Sequence, residues 1–256
     1  MNALLEARGL HLRFGAVRAL DDVAIALWPG EVVAIVGESG SGKSSLLRVL
    51  AGMQRADAGA VLYRDAAGAS HSILDASDAA LRRLMRSDWG FVHQNARDAL
   101  RMEISAGGNV GERLMAAGNR HYGTIRRVAA HWLERVEMDP ARIDESPRNF
   151  SGGMQQRLQI ARTLVTDPRL VFMDEPTGGL DVSVQARLLD LIRGLVADLG
   201  LAVLLVTHDI AAARLLAHRI VVMRHGAVVE EGLTDRVLDD PQHPYTQLLV
   251  SSVLAA

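Results

Sequence analysis

The sequence contains no cysteine and only one lysine. Without cysteine the chain cannot form a disulfide framework or a thiolate metal site, so both are excluded. No apolar run approaches the roughly 18–20 residues that cross a bilayer, and the first residues lack the pattern of a signal peptide. The net charge of −2 provides no basic field that would attract nucleic acid or anionic lipid. We therefore expect a cytoplasmic protein that binds no nucleic acid and is not inserted in a membrane.

The one lysine, Lys43, leaves arginine at every other position among the 28 basic residues. It lies in Gly37-Glu38-Ser39-Gly40-Ser41-Gly42-Lys43-Ser44, which matches the phosphate-binding pattern GxxxxGKS. A slim ammonium fits beside the β- and γ-phosphates under a tight loop better than a wide guanidinium does. We therefore predict that this loop binds a nucleoside triphosphate.

The residues around the loop predict the strand and helix that this pattern requires. Val32–Val36 is a β-branched apolar run typical of a buried strand, and Ser44–Ala51 carries leucines at helical spacing before Gly52. Backbone N–H groups of the loop and of the helix N-terminus would form an anion cradle, in which Lys43 contacts phosphates and the Ser44 hydroxyl binds Mg²⁺. The loop residues assigned to the nucleotide are Gly37, Ser39, Gly40, Gly42, Lys43, Ser44 and Ser45.

The rest of the pattern predicts an α/β protein. Apolar strands at Leu170–Met173 and Ala202–Val206 flank a helical segment, which implies a mainly parallel sheet with the nucleotide at the carboxyl ends of its strands. Residues 1–30 alternate in polarity and look like edge strands leading into the loop strand. A hairpin is expected around residues 57–75. Residues 96–165 have helical spacing and are interpreted as an insert.

Two adjacent carboxylates follow the strand Leu170–Met173. At the end of a buried strand, Asp174 is placed to hold Mg²⁺ through water, and Glu175 can polarise the water that attacks a γ-phosphate. The alternative is a pair of solvated acids in the turn before Pro176.

The segment Phe150-Ser151-Gly152-Gly153-Met154-Gln155-Gln156-Arg157 resembles the signature motif of the ABC ATPases, usually LSGGQ, with Phe150 and Met154 in place of Leu and Gln. The resemblance implies an α/β P-loop NTPase (RecA-like) core with an antiparallel β subdomain and an inserted helical subdomain. It implies one ABC domain over residues 1–256. Its parts would be a core with β subdomain at 1–95 and 166–235, a helical subdomain at 96–165 and a C-terminal helix or tail at 236–256.

The resemblance also implies residue roles. Phe14 would stack on adenine, although it could instead be a core phenylalanine. Gln94 resembles the Q-loop glutamine that touches Mg²⁺ and the attacking water, and His208 resembles the switch histidine that contacts the γ-phosphate. Asp181 belongs to a D-loop-like segment. The residues that would face the ATP of the other subunit are Ser151, Gly152 and Gly153. Hydrolysis would then need Mg²⁺ and a head-to-tail homodimer, since each subunit supplies half of the donors.

Longer segments closely resemble ATP-binding subunits associated with the bacterial phosphonate carbon–phosphorus lyase. These segments are Asp88–Met102, Phe150–Arg157, Glu175–Arg187 and His243–Ser252. The resemblance implies an ATPase that docks on soluble lyase core subunits without itself cleaving the carbon–phosphorus bond.

Two alternatives remain open at this point. One is the ATPase subunit of a dipeptide or oligopeptide importer, which shares the His-Pro-Tyr-Thr tail and would contact membrane permease subunits through residues 88–102. The other is a slow nucleotide-dependent clamp. Met154 in place of the usual signature Gln favours the clamp, whereas the presence of Glu175 and His208 argues against it.

Overall fold

The computed structural model describes residues 2–254, within which it contains ten strands and nine α-helices. The strands are β1 (Leu5–Phe14), β2 (Val17–Leu27), β3 (Val32–Val36), β4 (Ala58–Arg64), β5 (Ser70–Ser72), β6 (Trp89–Val92), β7 (Leu170–Asp174), β8 (Ala202–Val206), β9 (Arg219–Arg224) and β10 (Ala227–Leu233). The helices are α1 (Lys43–Leu50), α2 (Asp78–Ser87), α3 (Ala106–Ala116), α4 (Tyr122–Arg135), α5 (Gly152–Leu164), α6 (Val182–Leu199), α7 (Ile210–Leu216), α8 (Thr234–Asp239) and α9 (Pro244–Leu254). Short 3₁₀ helices cover Ala96–Asp98, Pro140–Asp144 and Pro147–Asn149.

The chain divides into two compact units. The first contains the residues up to Leu81 and those from Gly200 onward, and the second runs from Arg82 to Leu199. No helix within residues 2–254 is both long enough and apolar enough to span a bilayer.

A parallel arrangement around β3 forms the centre of the first unit. β3 pairs in parallel with β8 and with β9, and β10 pairs antiparallel with β9. Every residue of β3 and β8 is buried, as continuous β-branched and leucine runs predict. Ile35 pairs with Val206, so β3 and β8 end at the same level and the segments after them begin at one edge.

The second sheet of this unit is antiparallel, in the order β2-β1-β4-β5. The expectation of edge strands in residues 1–30 is wrong for β1, which pairs with β2 on one side and with β4 on the other. Alternating polarity indicates that one face is buried, and it does not distinguish an interior strand from an edge strand. The expected hairpin is confirmed as the β4–β5 pair, in which Leu62 faces Ser72.

The second unit contains the parallel pair β6–β7 and the helices α3 to α6. Val92 pairs with Met173, so β6 and β7 also end at one level. The rings of Trp89 and Phe172 pack edge to face between the two strands, at a centroid distance of 5.4 Å. α6 ends at Leu199 and is followed by Gly200, whose φ of 60° suits the end of a helix.

Candidate functional site

The segment Gly37–Gly42 connects β3 to α1, as the sequence predicts, and Lys43 and Ser44 are the first residues of α1. Lys43 is only 5% exposed. Its Nζ donates hydrogen bonds to the carbonyl oxygens of Gly37, at 2.9 Å, and Glu38, at 2.7 Å. The only lysine of the chain therefore stabilises the loop in which it lies.

The N-terminus of α1 presents backbone donors to an anion. The helix follows Gly42, no side chain caps it, and its first turn contains no acidic residue. The first N–H groups of a helix lack intrahelical acceptors and carry the positive end of the helix dipole. Ser39 and Gly40 are exposed, whereas Ser44 and Ser45 are half-buried. This donor set fits phosphate oxygens.

Gly37 lets the loop approach β9 closely. Its φ is 149°, and a Cβ at this position would lie 2.2 Å from the carbonyl oxygen of Met223. Any other residue would push the loop away from the strand, so the glycine fixes the distance between loop and sheet.

His208 and Phe14 belong to the same unit as the loop. Thr207 is buried after β8 and His208 is exposed, at the edge of the sheet where β3 also ends. Phe14, the last residue of β1, is 52% exposed, so the alternative of a core phenylalanine is wrong. An exposed ring is able to stack on a base.

In the second unit Gln94 and Glu175 come together. Both follow the level ends of β6 and β7, and Gln94 Nε2 donates to Glu175 Oε2 at 3.3 Å. Asp174 is 8% exposed and Glu175 is half-buried with a φ of 45°. The alternative of two solvated acids is therefore wrong for Asp174.

The turn after Glu175 leaves room for Gln94. A Cβ on Gly178 would lie 3.0 Å from Gln94 Nε2, so a side chain at this position would crowd the amide. Gln185 Nε2 donates to the carbonyl oxygens of Thr177 and Leu180 and so fixes the turn. Asp181, which follows it, is exposed.

Ser151 caps α5. Its Oγ accepts a hydrogen bond from Met154 N–H at 3.4 Å. Ser151 and Gly152 are exposed, while Gly153 is buried against Val184. An exposed serine and glycine at a helix N-terminus can bind an anion presented by another molecule.

The two departures from the usual signature share one neighbour, Arg142, which sequence reasoning missed. Arg142 Cζ lies 4.7 Å from the centroid of the Phe150 ring, and its Nη1 lies 3.3 Å from Met154 Sδ. Its Nε and Nη2 donate to the Glu145 carboxylate at 2.9 and 2.7 Å, and this hydrogen bonding lowers the pKa of Glu145. The Arg142–Glu145 spacing of three could have signalled this ion pair, but not the contacts with Phe150 and Met154.

Two further residues on α5 hold the chain just before Gln94. Gln159 Oε1 accepts from His93 N–H at 2.8 Å, and Nε2 of Gln159 and of Gln156 donates to His93 O at 3.0 and 3.1 Å. Gln156 and Gln159 are 3% and 0% exposed. A buried polar side chain needs partners, so glutamines on the apolar face of α5 were the signal for this contact.

The loop after Gln94 presents Arg97 and Asp98. Both are exposed, and Arg97 borders a cavity of about 430 Å³ together with Gln94 and Gly152. Arg101 is exposed but donates to Glu112 at 3.1 Å.

Glu112 also accepts from Arg162, at 3.0 Å. Burial would raise the pKa of Glu112, but the hydrogen bonds from Arg162 and Arg101 lower it below its ordinary value. Arg101 is therefore part of an ion-pair network within the chain, whereas Arg97 is exposed and its Nε donates to Gln155 Oε1 at 3.5 Å.

The residues proposed for the metal fit Mg²⁺ bound together with phosphates. Within the described part of the chain, no group of three or more His, Cys, Asp or Glu residues could hold a metal ion by itself. Mg²⁺ in nucleotide sites usually takes one or two carboxylates together with phosphate oxygens and water. The hydroxyl of Ser44 and the carboxylate of Asp174 are oxygen donors of this kind.

The comparisons with known proteins agree with this chemistry. Residues 20–178 match the family model described as ABC transporter. PhnK of Escherichia coli (strain K12), named as a phosphonates-utilization ATP-binding protein, is 61% identical over 251 residues, which cover 98% of each chain. A protein of Brucella melitensis biotype 1, named as a peptide import ATP-binding protein, is 38% identical over 265 residues, covering 98% of this chain and 77% of its own length.

Solved structures show the same fold. The ATP-binding cassette MJ0796, a dimer in a post-hydrolysis state bound to ADP and Pi, has a TM-score of 0.79 and 29% identity, and covers 90% of this chain and 98% of its own. CbiO1 from Clostridium perfringens, part of the ABC transporter complex CbiONQ, has a TM-score of 0.82 and 26% identity, over 94% of this chain and 92% of its own.

Proposed function

The chain belongs to the ABC transporter family, and from this premise we propose that it hydrolyses ATP as a head-to-tail homodimer. The observation that carries the proposal is the loop Gly37–Ser44, in which the only lysine lies at the uncapped N-terminus of α1. An exposed Phe14 ring would stack on the adenine. The remaining contacts between the loop and ATP would come from Ser39, Gly40, Gly42, Ser44 and Ser45.

The proposed hydrolysis assigns one task to each polar side chain. Ser44, Asp174 and Gln94 would hold Mg²⁺, which when bound would neutralise phosphate charge. Glu175 would accept the proton of the attacking water, and the Gln94 amide orients its carboxylate. The exposed imidazole of His208 would donate to the γ-phosphate.

The exposure of Ser151 and Gly152 supports the dimer. Ser151 and Gly152 are exposed at the N-terminus of α5, and Asp181 is also exposed, whereas Gly153 is buried. In a head-to-tail pair these residues would contact the ATP held by the other copy. The dimeric structures of the similar cassette MJ0796 support this assembly.

We further propose that the chain acts in phosphonate utilization, in the cytoplasm, by docking on soluble carbon–phosphorus lyase core subunits. Its 61% identity to PhnK over 98% of both chains supports this class. The exposed pair Arg97 and Asp98 begins three residues after Gln94, so a docked partner would contact the segment next to the proposed catalytic centre. Its charges suit a polar protein surface and provide electrostatic steering.

The second candidate function is that of the ATPase subunit of a peptide importer. The similarity to the Brucella peptide import protein, 38% over 98% of this chain, favours it, and there the loop after Gln94 would contact permease subunits. The lower identity makes this candidate the weaker of the two.

A pull-down distinguishes the two classes. Tagged wild type, Arg97→Glu and Arg120→Glu would be incubated with cytosolic and detergent-solubilised membrane fractions, and the bound proteins identified by mass spectrometry. We expect the wild type and the Arg120→Glu control to retain soluble lyase subunits, because Arg120 is exposed at another place in the same unit. Arg97→Glu should lose them through charge repulsion. Recovery of membrane permeases alone would overturn the lyase proposal.

A further inference from the structure

We propose that Tyr245 positions the phosphate-binding loop and thereby makes the C-terminal segment a determinant of nucleotide affinity. This segment comprises residues 241–252. The inference rests on the proposed ATP site and assigns to it a residue that lies far from the loop in sequence.

The hydroxyl oxygen of Tyr245 accepts a hydrogen bond from the N–H of Glu38 at 3.0 Å. On the other side of the same peptide group, the carbonyl oxygen of Gly37 accepts from Lys43 Nζ at 2.9 Å. One peptide plane of the loop is therefore held at both edges by side chains. Rotating it would break two hydrogen bonds and leave polar groups without partners.

Tyr245 itself is held firmly. The residue is 3% exposed, and the guanidinium of Arg224 lies 4.8 Å from its ring centroid. His243 Nδ1 accepts from the Tyr245 N–H at 3.1 Å. Burial, the cation–π contact and the local hydrogen bond together leave the hydroxyl little freedom to move away from the loop.

The start of the segment is tied to the sheet. The Glu230 carboxylate, on β10, accepts from the N–H groups of Gln242 at 2.8 Å and His243 at 3.0 Å. β10 pairs with β9, and β9 pairs with β3, the strand that leads into the loop. The contacts therefore close a circuit from the loop through Tyr245 and Glu230 back to the loop.

This circuit matters for binding phosphate. The loop binds an anion through several backbone N–H groups whose directions depend on each peptide plane. When Lys43 donates to phosphate oxygens, Tyr245 continues to hold the Gly37–Glu38 peptide in place. Its hydroxyl should therefore affect the affinity for ATP and leave the chemical step unchanged.

The test is Tyr245→Phe, which keeps the buried ring under Arg224 and removes only the hydroxyl. We expect the Kd and KM for MgATP to rise roughly two- to tenfold, as for one net hydrogen bond, with kcat unchanged. Without nucleotide, an amine-reactive reagent should label Lys43 faster than in the wild type, because the loop is less well held. Glu230→Gln, one step further along the circuit, should change both quantities in the same direction by a smaller factor.

The matched control is Tyr63→Phe, which removes a fully buried tyrosine hydroxyl from β4, in the antiparallel sheet of the same unit. It should leave ATP affinity and Lys43 labelling as in the wild type. Unchanged affinity and labelling in Tyr245→Phe and Glu230→Gln would overturn the inference, as would equal effects in Tyr63→Phe. If the wild type failed to bind ATP, the proposed function would fail, whereas the labelling rates would still test the role of Tyr245.

Discussion

Gln94 and Glu175 are 81 residues apart in sequence and are joined by a hydrogen bond of 3.3 Å between Nε2 and Oε2. Gln94 is placed by its neighbour His93, whose backbone N–H and carbonyl are both bonded to Gln159. The orientation of Glu175, the proposed general base, therefore depends on α5 as well as on β7, the strand that it follows.

Glu175→Gln should separate hydrolysis from binding. The amide keeps the shape of the side chain but cannot accept the proton of water, so we expect turnover to fall by roughly 10²-fold or more. The ATP-bound dimer should accumulate because its γ-phosphates persist. Phosphate release and size-exclusion chromatography with MgATP measure the two effects.

The control for this variant is Glu134→Gln, at an exposed position on α4, which should behave as the wild type. Near-normal hydrolysis by Glu175→Gln would contradict the assignment and leave His208 as the next candidate base. A wild type that stops after one turnover per site would favour the clamp interpretation instead.

Chemical labelling tests the placement of Lys43. An amine-reactive reagent can modify only this side chain and the N-terminal amine, since the sequence has no other lysine. MgATP should protect Lys43, because its ammonium would lie against the phosphates. Peptide mass spectrometry measures the labelling, and the N-terminal amine serves as the internal control. Equal labelling of Lys43 with and without saturating MgATP would contradict the placement.

A double-mutant cycle tests the contact between Arg142 and Phe150. We expect Arg142→Ala and Phe150→Leu to show a coupling free energy of about 0.5–1 kcal/mol in chemical denaturation, as for a partly exposed cation–π pair. Both variants should also weaken the ATP-dependent dimer, because the contact supports the residue before Ser151.

Arg135 and Trp132 provide a comparison pair on α4, with the guanidinium 4.9 Å from the ring. A cycle on this pair should show similar coupling in stability and no change in dimer formation. Additive effects of Arg142→Ala and Phe150→Leu would show that the Arg142 contact contributes nothing.

Acid should loosen the C-terminal segment through Glu230. Burial would raise the pKa of this carboxyl, but hydrogen bonds from the N–H groups of Gln242 and His243 lower it below its ordinary value of 4.5. A lowered folded-state pKa contributes stability that is present above the unfolded value and is lost as pH falls through the folded value.

The wild type should therefore lose more free energy of unfolding than Glu230→Gln does when the pH falls below about 4.5. Denaturant titrations at neutral and acidic pH measure the difference. Parallel losses in the two proteins would contradict the role of the Glu230 charge.

The local parts of the fold were predictable because their causes lie within short segments. Val32–Val36 and Ala202–Val206 are continuous apolar runs, and both are strands with these bounds. The pairing of β1 with β4 was not predictable, since alternation defines a face and not a neighbour. The bond between Glu38 and Tyr245 spans 207 residues, and the tail motif gave no sign of its partner. Arg142 was missed because its role depends on side-chain packing around Phe150.

The attachment of α5 to His93 has a thermodynamic consequence. Ser151 caps one end of this helix. Gln156 and Gln159 donate to the carbonyl oxygen of His93, in the segment that leads to Arg97. Suppose that α5 shifts as a rigid body and that a protein bound at Arg97 prefers one of its positions. That protein then changes the affinity for nucleotide at Ser151 by some factor. Linkage requires the reverse effect to have the same factor. Nucleotide bound at Ser151 must then change the binding free energy of that protein by an equal amount.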